Sequence, residues 1–132
     1  MPQEIGAFVR SVYERFNAGE RVPNADTWHV DAGYIPSRND PDFAVHRGLD
    51  AVRKQFQSWV GTYPDLRVEP VEIRVNENRV FVWGHWSGHA GGSGVPIEMT
   101  LAQVWTVVGG KIRRCEEYFD RDEALVVAGL PG

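Results

Sequence analysis

The 132-residue sequence contains a single cysteine, Cys115, and this excludes an intrachain disulfide. The apolar and aromatic neighbours of Cys115 indicate a buried structural thiol rather than a nucleophile. No apolar run approaches the roughly 18 residues that a membrane helix needs, and the first ten residues lack the basic start and apolar stretch of a signal peptide. These absences predict a cytoplasmic protein with no membrane partner.

Positive charge is also scarce. Fourteen Lys and Arg residues against eighteen Asp and Glu residues give a net charge of −4, so no cationic field exists to hold nucleic acid. The sequence contains no CxxC, HExxH, GxGxxG, P-loop or GxSxG motif. His85 and His89 are spaced as H-x-x-x-H, but on a strand their side chains stand about 13 Å apart, too far to share one zinc ion. We therefore expect no metal, no cofactor and no nucleic-acid partner.

Aromatic residues, in contrast, are abundant: the chain has five Trp, six Phe and four Tyr. Its length suits one domain, residues 1–132, and is well short of two. So many rings in so small a domain either fill the core or line a cavity within it.

Apolar residues at helical spacing predict an amphipathic helix over residues 3–18 and a second helix from Gly48 to the break at Pro64. Between them, three prolines leave room for a short turn of helix around 25–28, a strand around 32–35 and an exposed loop at 37–42.

The second half of the chain has the composition of a β-meander. Turn signals divide it into four antiparallel strands, at approximately 67–75, 79–90, 96–108 and 111–119. Asp120 and Glu123 have the spacing of a capping box, which predicts a terminal helix Arg121–Ala128 that stops at Gly129. The order of elements indicates an α+β fold, with helices packed on one face of the sheet.

Five segments, in their order and spacing, resemble the SnoaL-like branch of the nuclear transport factor 2 (NTF2-like) superfamily: 16–20, 34–37, 47–52, 105–112 and 117–130. The resemblance implies an NTF2-like cone, in which a strongly curved antiparallel sheet packs around about three N-terminal helices and a short C-terminal helix follows. It also implies an apolar pocket between the helices and the sheet, and frequent dimers through the outer sheet face. The superfamily includes isomerases, dehydratases, epoxide hydrolases and polyketide cyclases beside proteins with no known reaction, so the fold leaves the reaction open.

Alignment with the ketosteroid isomerases of this superfamily tests one of those activities. Their tyrosine donor falls on Val12, their aspartate base on Pro36 and their protonated acid on Gln103. Valine cannot donate a hydrogen bond, proline cannot accept a proton, and glutamine donates without being acidic. The alignment therefore disfavours steroid isomerisation.

Strand alternation identifies a candidate catalytic residue. On the strand 79–90 it separates Phe81, Trp83, His85 and His89 from Val80, Val82 and Trp86. The alignment with the superfamily implies that the first set faces the pocket. His85 is the candidate general base, because the unperturbed pKa of histidine lies nearest to neutrality. Gln103 or Glu117 would orient His85, and Gln103 or Tyr34 would donate a hydrogen bond to developing oxygen charge.

The hairpin at residues 109–110 decides which glutamate faces Gln103. A plain two-residue turn would place Glu116 and Tyr118 on the side of Gln103, whereas a one-residue bulge would place Cys115, Glu117 and Phe119 there. We favour the bulge.

The predicted function is cofactor-independent acid/base chemistry, of cyclase, dehydratase or isomerase type, on a small apolar or aromatic molecule. Two alternatives stay open: a pocket that only binds such a molecule, or an interaction module that uses an outer face carrying Val80, Val82 and Trp86. Because both faces of strand 79–90 are semi-apolar, we also expect a homodimer through the outer sheet face. The candidate ligand-binding residues are Val12, Phe16, Trp28, Tyr34, Phe56, Trp59, Trp83, His89, Met99, Gln103, Cys115 and Glu117.

Overall fold

A computed structural model of the chain describes residues 2–37 and 43–131. Within these residues one sheet has the strand order β2-β1-β6-β5-β4-β3. The three helices and the curved six-stranded sheet confirm the predicted α+β fold class. The elements, in chain order, are α1 Pro2–Asn17, β1 Trp28–Ile35, β2 His46–Arg47, α2 Leu49–Thr62, β3 Arg67–Asn76, β4 Arg79–His89, β5 Pro96–Val108, β6 Lys111–Tyr118 and α3 Arg121–Ala128.

The sheet is mixed, because β1 and β6 run parallel while the other neighbouring strands pair antiparallel. Residues 25–27 form the single turn that the sequence predicts, closed by the Trp28 backbone N–H, which donates to the Asn24 carbonyl oxygen at 2.9 Å. The Asn24 side chain accepts hydrogen bonds there from the backbone N–H groups of Asp26 and Thr27, at 2.9 and 3.1 Å, which is the pattern of a helix N-cap. Of the predicted exposed loop at 37–42, Ser37 is buried, and residues 38–42 lie outside the described residues.

Helices cover both faces of the sheet. We call the face against α1 and α2 the inner face; it buries Tyr13 and Phe16 of α1 and Phe56 of α2 together with Trp105 of β5. The outer face is covered in part by α3, whose Ala124, Leu125 and Ala128 pack over Phe81, Ala102 and Val104. None of the helices within the described residues is long and apolar enough to cross a bilayer.

The interpretation of β4 is wrong about which face is which. Val80, Val82 and Trp86 are buried in the core of the inner face, while Phe81 and Trp83 pack on the outer face against α3. The surface that the interaction-module hypothesis needs is therefore inside the core. Since α3 covers apolar residues of the outer face, the alternation does not call for a second subunit. The homodimer stays a prediction, which sedimentation at high micromolar concentration would test.

The start of α3 is capped as the sequence predicts. One Asp120 carboxylate oxygen accepts hydrogen bonds from the backbone N–H groups of Asp122 and Glu123, at 2.8 and 3.2 Å. We expect Asp120→Ala to lower the free energy of unfolding by about 1 kcal/mol, because two helix N–H groups lose their acceptor. Chemical denaturation would measure this loss. Asp122→Ala removes a carboxylate from the same turn but leaves the cap, so an equal loss in both variants would contradict the capping role.

Candidate functional site

A cavity of about 200 Å³ opens on the inner face, between the C-terminal half of α2 and strands β4, β5 and β6. Its wall is almost entirely apolar and aromatic, and Glu117 contributes its one carboxylate. The lining residues are Trp59, Tyr63, Leu66, Trp86, Ile97, Met99, Leu101, Glu117 and Phe119.

Local periodicity explains how these side chains come together. Ile97, Met99 and Leu101 alternate along β5, so all three point to the inner face, as do Glu117 and Phe119 at the end of β6. Trp59 and Tyr63 are four residues apart and lie on one side of α2 and its C-cap. The cavity wall thus follows from two strand alternations and one helical turn.

A one-residue bulge in β6 turns Glu117 toward the inner face. The β5–β6 register shifts between Thr106, which pairs with Arg114, and Val107, which pairs with Ile112. Beyond the shift Gln103 lies opposite Glu117 and Trp105 lies opposite Cys115. The bulge that we favoured is confirmed, and the Glu117 side chain is only 5% exposed as a result.

Four buried polar side chains form a chain of hydrogen bonds that ends at the Glu117 carboxylate. The Trp105 indole N–H donates to the Tyr13 hydroxyl at 2.7 Å, and that hydroxyl donates to Gln103 Oε1 at 2.6 Å. Gln103 Nε2 then donates to Glu117 Oε2 at 2.7 Å. These hydrogen bonds link α1 to β5 and β6 and hold the Glu117 carboxylate at the cavity wall.

The direction of this chain follows from its first member. Indole nitrogen can only donate, so the Tyr13 oxygen accepts there and its own proton must go to Gln103. Gln103 therefore presents its carbonyl to Tyr13 and its NH₂ group to Glu117, which settles the orientation of the amide chemically. Every donor points toward Glu117, and successive hydrogen bonds in such a series polarise one another.

The neighbouring acidic groups keep their protons. Burial raises the pKa of the Tyr13 phenol well above its ordinary value, and the nearby Cys115 and Glu117 act in the same direction, although the Trp105 hydrogen bond opposes them. Burial, followed by the charges of Glu117 and Glu116, likewise raises the pKa of the Cys115 thiol. Tyr13 thus retains the proton that the chain needs, and Cys115 is a protonated core residue rather than a nucleophile.

His85 does not lie at this cavity, so the placement predicted from the sequence is wrong. Its ring is on the outer face, where Nδ1 lies 3.3 Å from Thr100 Oγ1 and Nε2 lies 3.3 Å from Glu98 Oε1. His85 pairs with Thr100, three positions before Gln103 along β5. Three is an odd number, so His85 and Gln103 lie on opposite faces of the sheet and Gln103 cannot orient His85.

Of the other predicted ligand-binding residues, Trp59, Met99 and Glu117 line the cavity, and Gln103 supports Glu117 from behind. Trp83 packs on the outer face near α3, and His89 is exposed at the end of β4, so neither meets the cavity. The remaining predicted residues pack in or against the core of the inner face: Val12, Phe16, Trp28, Tyr34, Phe56 and Cys115.

Sequence reasoning missed most of the cavity wall and the supporting residue Tyr13. The signals were present: Ile97 and Leu101 flank Met99 at strand spacing, and Tyr63 follows Trp59 by one helical turn. The alignment put the tyrosine donor on Val12, whereas the adjacent Tyr13 carries the hydroxyl that reaches Gln103. Trp86 was missed because β4 was assigned the wrong facing.

His89 and Asp65 form an ion pair on the surface near the cavity. Asp65 Oδ1 accepts from the backbone N–H of His89 and Oδ2 lies 2.7 Å from His89 Nδ1. Hydrogen bonding by the His89 side chain lowers the pKa of Asp65 below its ordinary value of 3.8.

We expect NMR titration to find the Asp65 pKa below 3.8, and His89→Ala to raise it part of the way, because the backbone N–H of residue 89 still donates. An acid with a lowered pKa stabilises the fold above its unfolded pKa and loses that effect as the pH falls through its folded pKa. The stability difference due to this bond should therefore be complete well above pH 3.8, decline as the pH falls below 3.8, and vanish below the lowered pKa of the folded state. An unchanged Asp65 pKa in the variant would contradict the assignment.

Among the described residues, no group of three His, Cys, Asp or Glu side chains is arranged to hold a metal ion. The chemistry that these residues can offer at the cavity is proton transfer by one buried carboxylate in a mainly apolar wall.

Solved structures share this fold. A protein with a ketosteroid isomerase-like fold from Catenulispora acidiphila, solved with trimethylamine, has 15% identity and a TM-score of 0.72, with 94% of this chain and 93% of that chain covered. The epoxide hydrolase/cyclase-like enzyme SalBIII, of pyran ring formation in the polyether salinomycin, has 17% identity and a TM-score of 0.75, with 88% and 90% covered. An NTF2-like protein of unknown function from Burkholderia pseudomallei has 22% identity and a TM-score of 0.71, with 94% and 96% covered.

At these identities the structural similarity shows a common fold only, so the activity of this chain has to be argued from its own residues. A comparison with curated protein sequences finds no match. The model of the SnoaL-like domain matches residues 9–115, which include Tyr13, Gln103 and Trp105 and end two residues before Glu117. The chain therefore belongs to the SnoaL-like family.

Proposed function

We propose that the inner cavity binds a small, mainly apolar organic molecule and that Glu117 exchanges a proton with it. The observation that carries the proposal is the position of Glu117, a buried carboxylate at the wall of an otherwise apolar and aromatic cavity. A titratable group at the wall of such a cavity is the usual sign of acid/base work on a bound molecule.

The size of the cavity limits the molecule. Its volume of about 200 Å³ is below the roughly 300–1,000 Å³ of pockets for drug-sized ligands. One ring with short substituents is the largest group we expect it to enclose.

The reaction class that suits the Glu117 carboxylate as a base is removal of a proton next to a carbonyl group. Such a step produces an enolate and needs no cofactor, and it begins many cyclisations, dehydrations and isomerisations. The fold shared with a cyclase-like enzyme supports this class without identifying the substrate.

A second candidate is binding of a small organic cation without catalysis. Four aromatic side chains, those of Trp59, Tyr63, Trp86 and Phe119, share the wall with Glu117. Aromatic faces and a carboxylate together attract an ammonium group. A protein of the same fold was solved with trimethylamine, which supports this alternative.

Exchange of α-protons in D₂O separates the two candidates without knowledge of the natural substrate. Cyclohexanone is the neutral probe and tetramethylammonium is the cationic one, and both are followed by NMR. Acid/base function predicts saturable catalysis of cyclohexanone exchange. Saturable binding of tetramethylammonium with no catalysed exchange would favour the second candidate, and no saturable interaction with either probe would contradict both.

A further inference from the structure

A second cleft, of about 310 Å³, lies on the outer face of the sheet where β2, β1 and β6 adjoin. Three arginines dominate its wall: Arg47, Arg113 and Arg114. Asp31 supplies the one acidic side chain of the lining. This concentration of positive charge is unexpected on a protein with a net charge of −4, so it is a local arrangement and not part of a general cationic surface.

Gly33 forms the floor between two of these arginines. It pairs with Arg47 on β2 and with Arg114 on β6, so the three residues form one row across the outer face. The spacing between strands puts the two arginine Cα atoms about 10 Å apart. Two arginine side chains at this separation can reach a single ion from opposite sides.

Neither backbone conformation nor packing requires glycine at position 33. Its φ is not positive, and the nearest atom to an added Cβ would be the His46 carbonyl oxygen, at an ordinary 3.8 Å. Glycine weakens a strand, and inside a strand it often marks a place where a ligand approaches the backbone. The missing side chain leaves the floor open between the two guanidinium groups.

Contacts around the cleft hold Arg113 and Arg114 in place without using all their donors. Arg114 Nε lies 3.4 Å from Glu116 Oε1, while the Tyr118 hydroxyl donates to Glu116 Oε2 at 2.7 Å. This contact does not involve the terminal nitrogens of Arg114. Arg113 donates through Nη1 to the Asp31 carbonyl oxygen. Arg47 is exposed and makes no ion pair with any of the described residues.

We propose that this arginine cleft binds a phosphate group, either inorganic phosphate or the phosphate of a small monoester. One guanidinium group satisfies a planar carboxylate through two parallel hydrogen bonds, whereas a phosphate has oxygens for donors on several sides. Three positive charges and one negative charge line the cleft, and the charge stays positive with the Glu116 carboxylate beside Arg114 included. This suits the dianion that a phosphate monoester forms above its second pKa of about 6. The site is on the opposite face from the cavity, so it does not depend on the function proposed for Glu117.

The test is an NMR titration of the full chain with sodium phosphate at about pH 7.5, where phosphate is mainly dianionic. Sodium chloride and sodium acetate at equal ionic strength are the comparison titrations. We expect saturable shifts at the Gly33 amide and the Arg47 and Arg114 side chains with phosphate. Arg47→Gln and Arg114→Gln should each weaken phosphate binding about tenfold or more, since each removes a charged donor.

Gly33→Val is the sharpest variant, because it keeps every charge and fills the floor of the cleft. We expect it to lose phosphate binding while its amide spectrum stays folded; if it does not fold, the two arginine variants decide. Arg10 lies at an exposed position of α1. Arg10→Gln changes the net charge by the same amount and should bind phosphate as tightly as the unsubstituted protein does. Shifts that do not saturate, equal weakening in Arg10→Gln, or acetate binding as tight as phosphate binding would overturn the proposal.

Discussion

Glu117→Gln should lower the rate of cyclohexanone α-proton exchange by about 10²–10⁴-fold, the range that one general base contributes. The amide has nearly the same shape as the carboxylate and can still fill the position beside Gln103, but it cannot take up a proton at neutral pH. Binding of cyclohexanone should change little, because eight of the nine lining residues stay the same. The α-proton signals in D₂O give the rate, and the dependence on probe concentration gives the affinity.

Two control variants make this result specific. Glu116→Gln removes the adjacent carboxylate, which faces the outer side of the same strand, and it should leave the exchange rate nearly unchanged. His85→Gln removes the base first predicted from the sequence, on the outer face, and should also have little effect. Loss of exchange in His85→Gln with full activity in Glu117→Gln would show that the chemistry takes place elsewhere.

Glu117→Gln should leave the free energy of unfolding unchanged or raise it, although it strongly lowers the exchange rate. Burying a carboxylate costs desolvation energy, so its neutral isostere often leaves stability equal or higher. A free energy of unfolding that is unchanged or raised, combined with a large loss of rate, would identify Glu117 as a residue kept for function.

Tyr13→Phe should lower the free energy of unfolding by about 2–4 kcal/mol. It leaves the Trp105 indole N–H and Gln103 Oε1 buried without their partner, and each stranded polar group costs about 1–3 kcal/mol. Denaturant titration would measure the change. Tyr63→Phe is the matched control, since it removes a hydroxyl from a half-buried tyrosine at the cavity wall, and it should change stability by less than about 0.5 kcal/mol.

A double-mutant cycle tests whether the buried residues act as one chain. Trp105→Phe removes the first donor. In that background Tyr13→Phe leaves only Gln103 Oε1 without its partner, so the loss of stability that it causes should be smaller. Tyr13→Phe should also slow exchange at saturating cyclohexanone, because Gln103 loses the partner that fixes its NH₂ group toward Glu117. If the stability losses of Tyr13→Phe and Trp105→Phe simply add, and Tyr13→Phe leaves the exchange rate unchanged, the four residues do not act as one series of hydrogen bonds.

Local signals made most of the fold predictable. Helical spacing placed α1 and α2, paired turn residues placed the hairpins, and Asp120 placed the start of α3. The sequence also predicted which face of the sheet Glu117 points to, because a bulge beside a Gly-Gly turn is a common structural feature. β2 was not predicted, since a strand of two residues, His46–Arg47, has no periodicity to read.

The candidate site was harder to predict, because it depends on facing and register between strands. Both faces of β4 are apolar: α1 and α2 cover Val82 and Trp86, and α3 covers Phe81. Alternation divides such a strand into two sets but cannot say which set faces the cavity. The hairpin between β4 and β5 pairs His89 with Pro96, so His85 pairs with Thr100 and lies on the opposite face from Gln103, and this register could not be predicted from the sequence.

The most direct test of the account is a crystal structure of the protein soaked with cyclohexanone. We predict one ring in the inner cavity between Trp59 and Trp86, with an α-carbon about 3.5 Å from a Glu117 carboxylate oxygen, the distance of a reactive approach. A ring bound only on the outer face beside His85, or one in the cavity with its α-carbons turned away from Glu117, would contradict it.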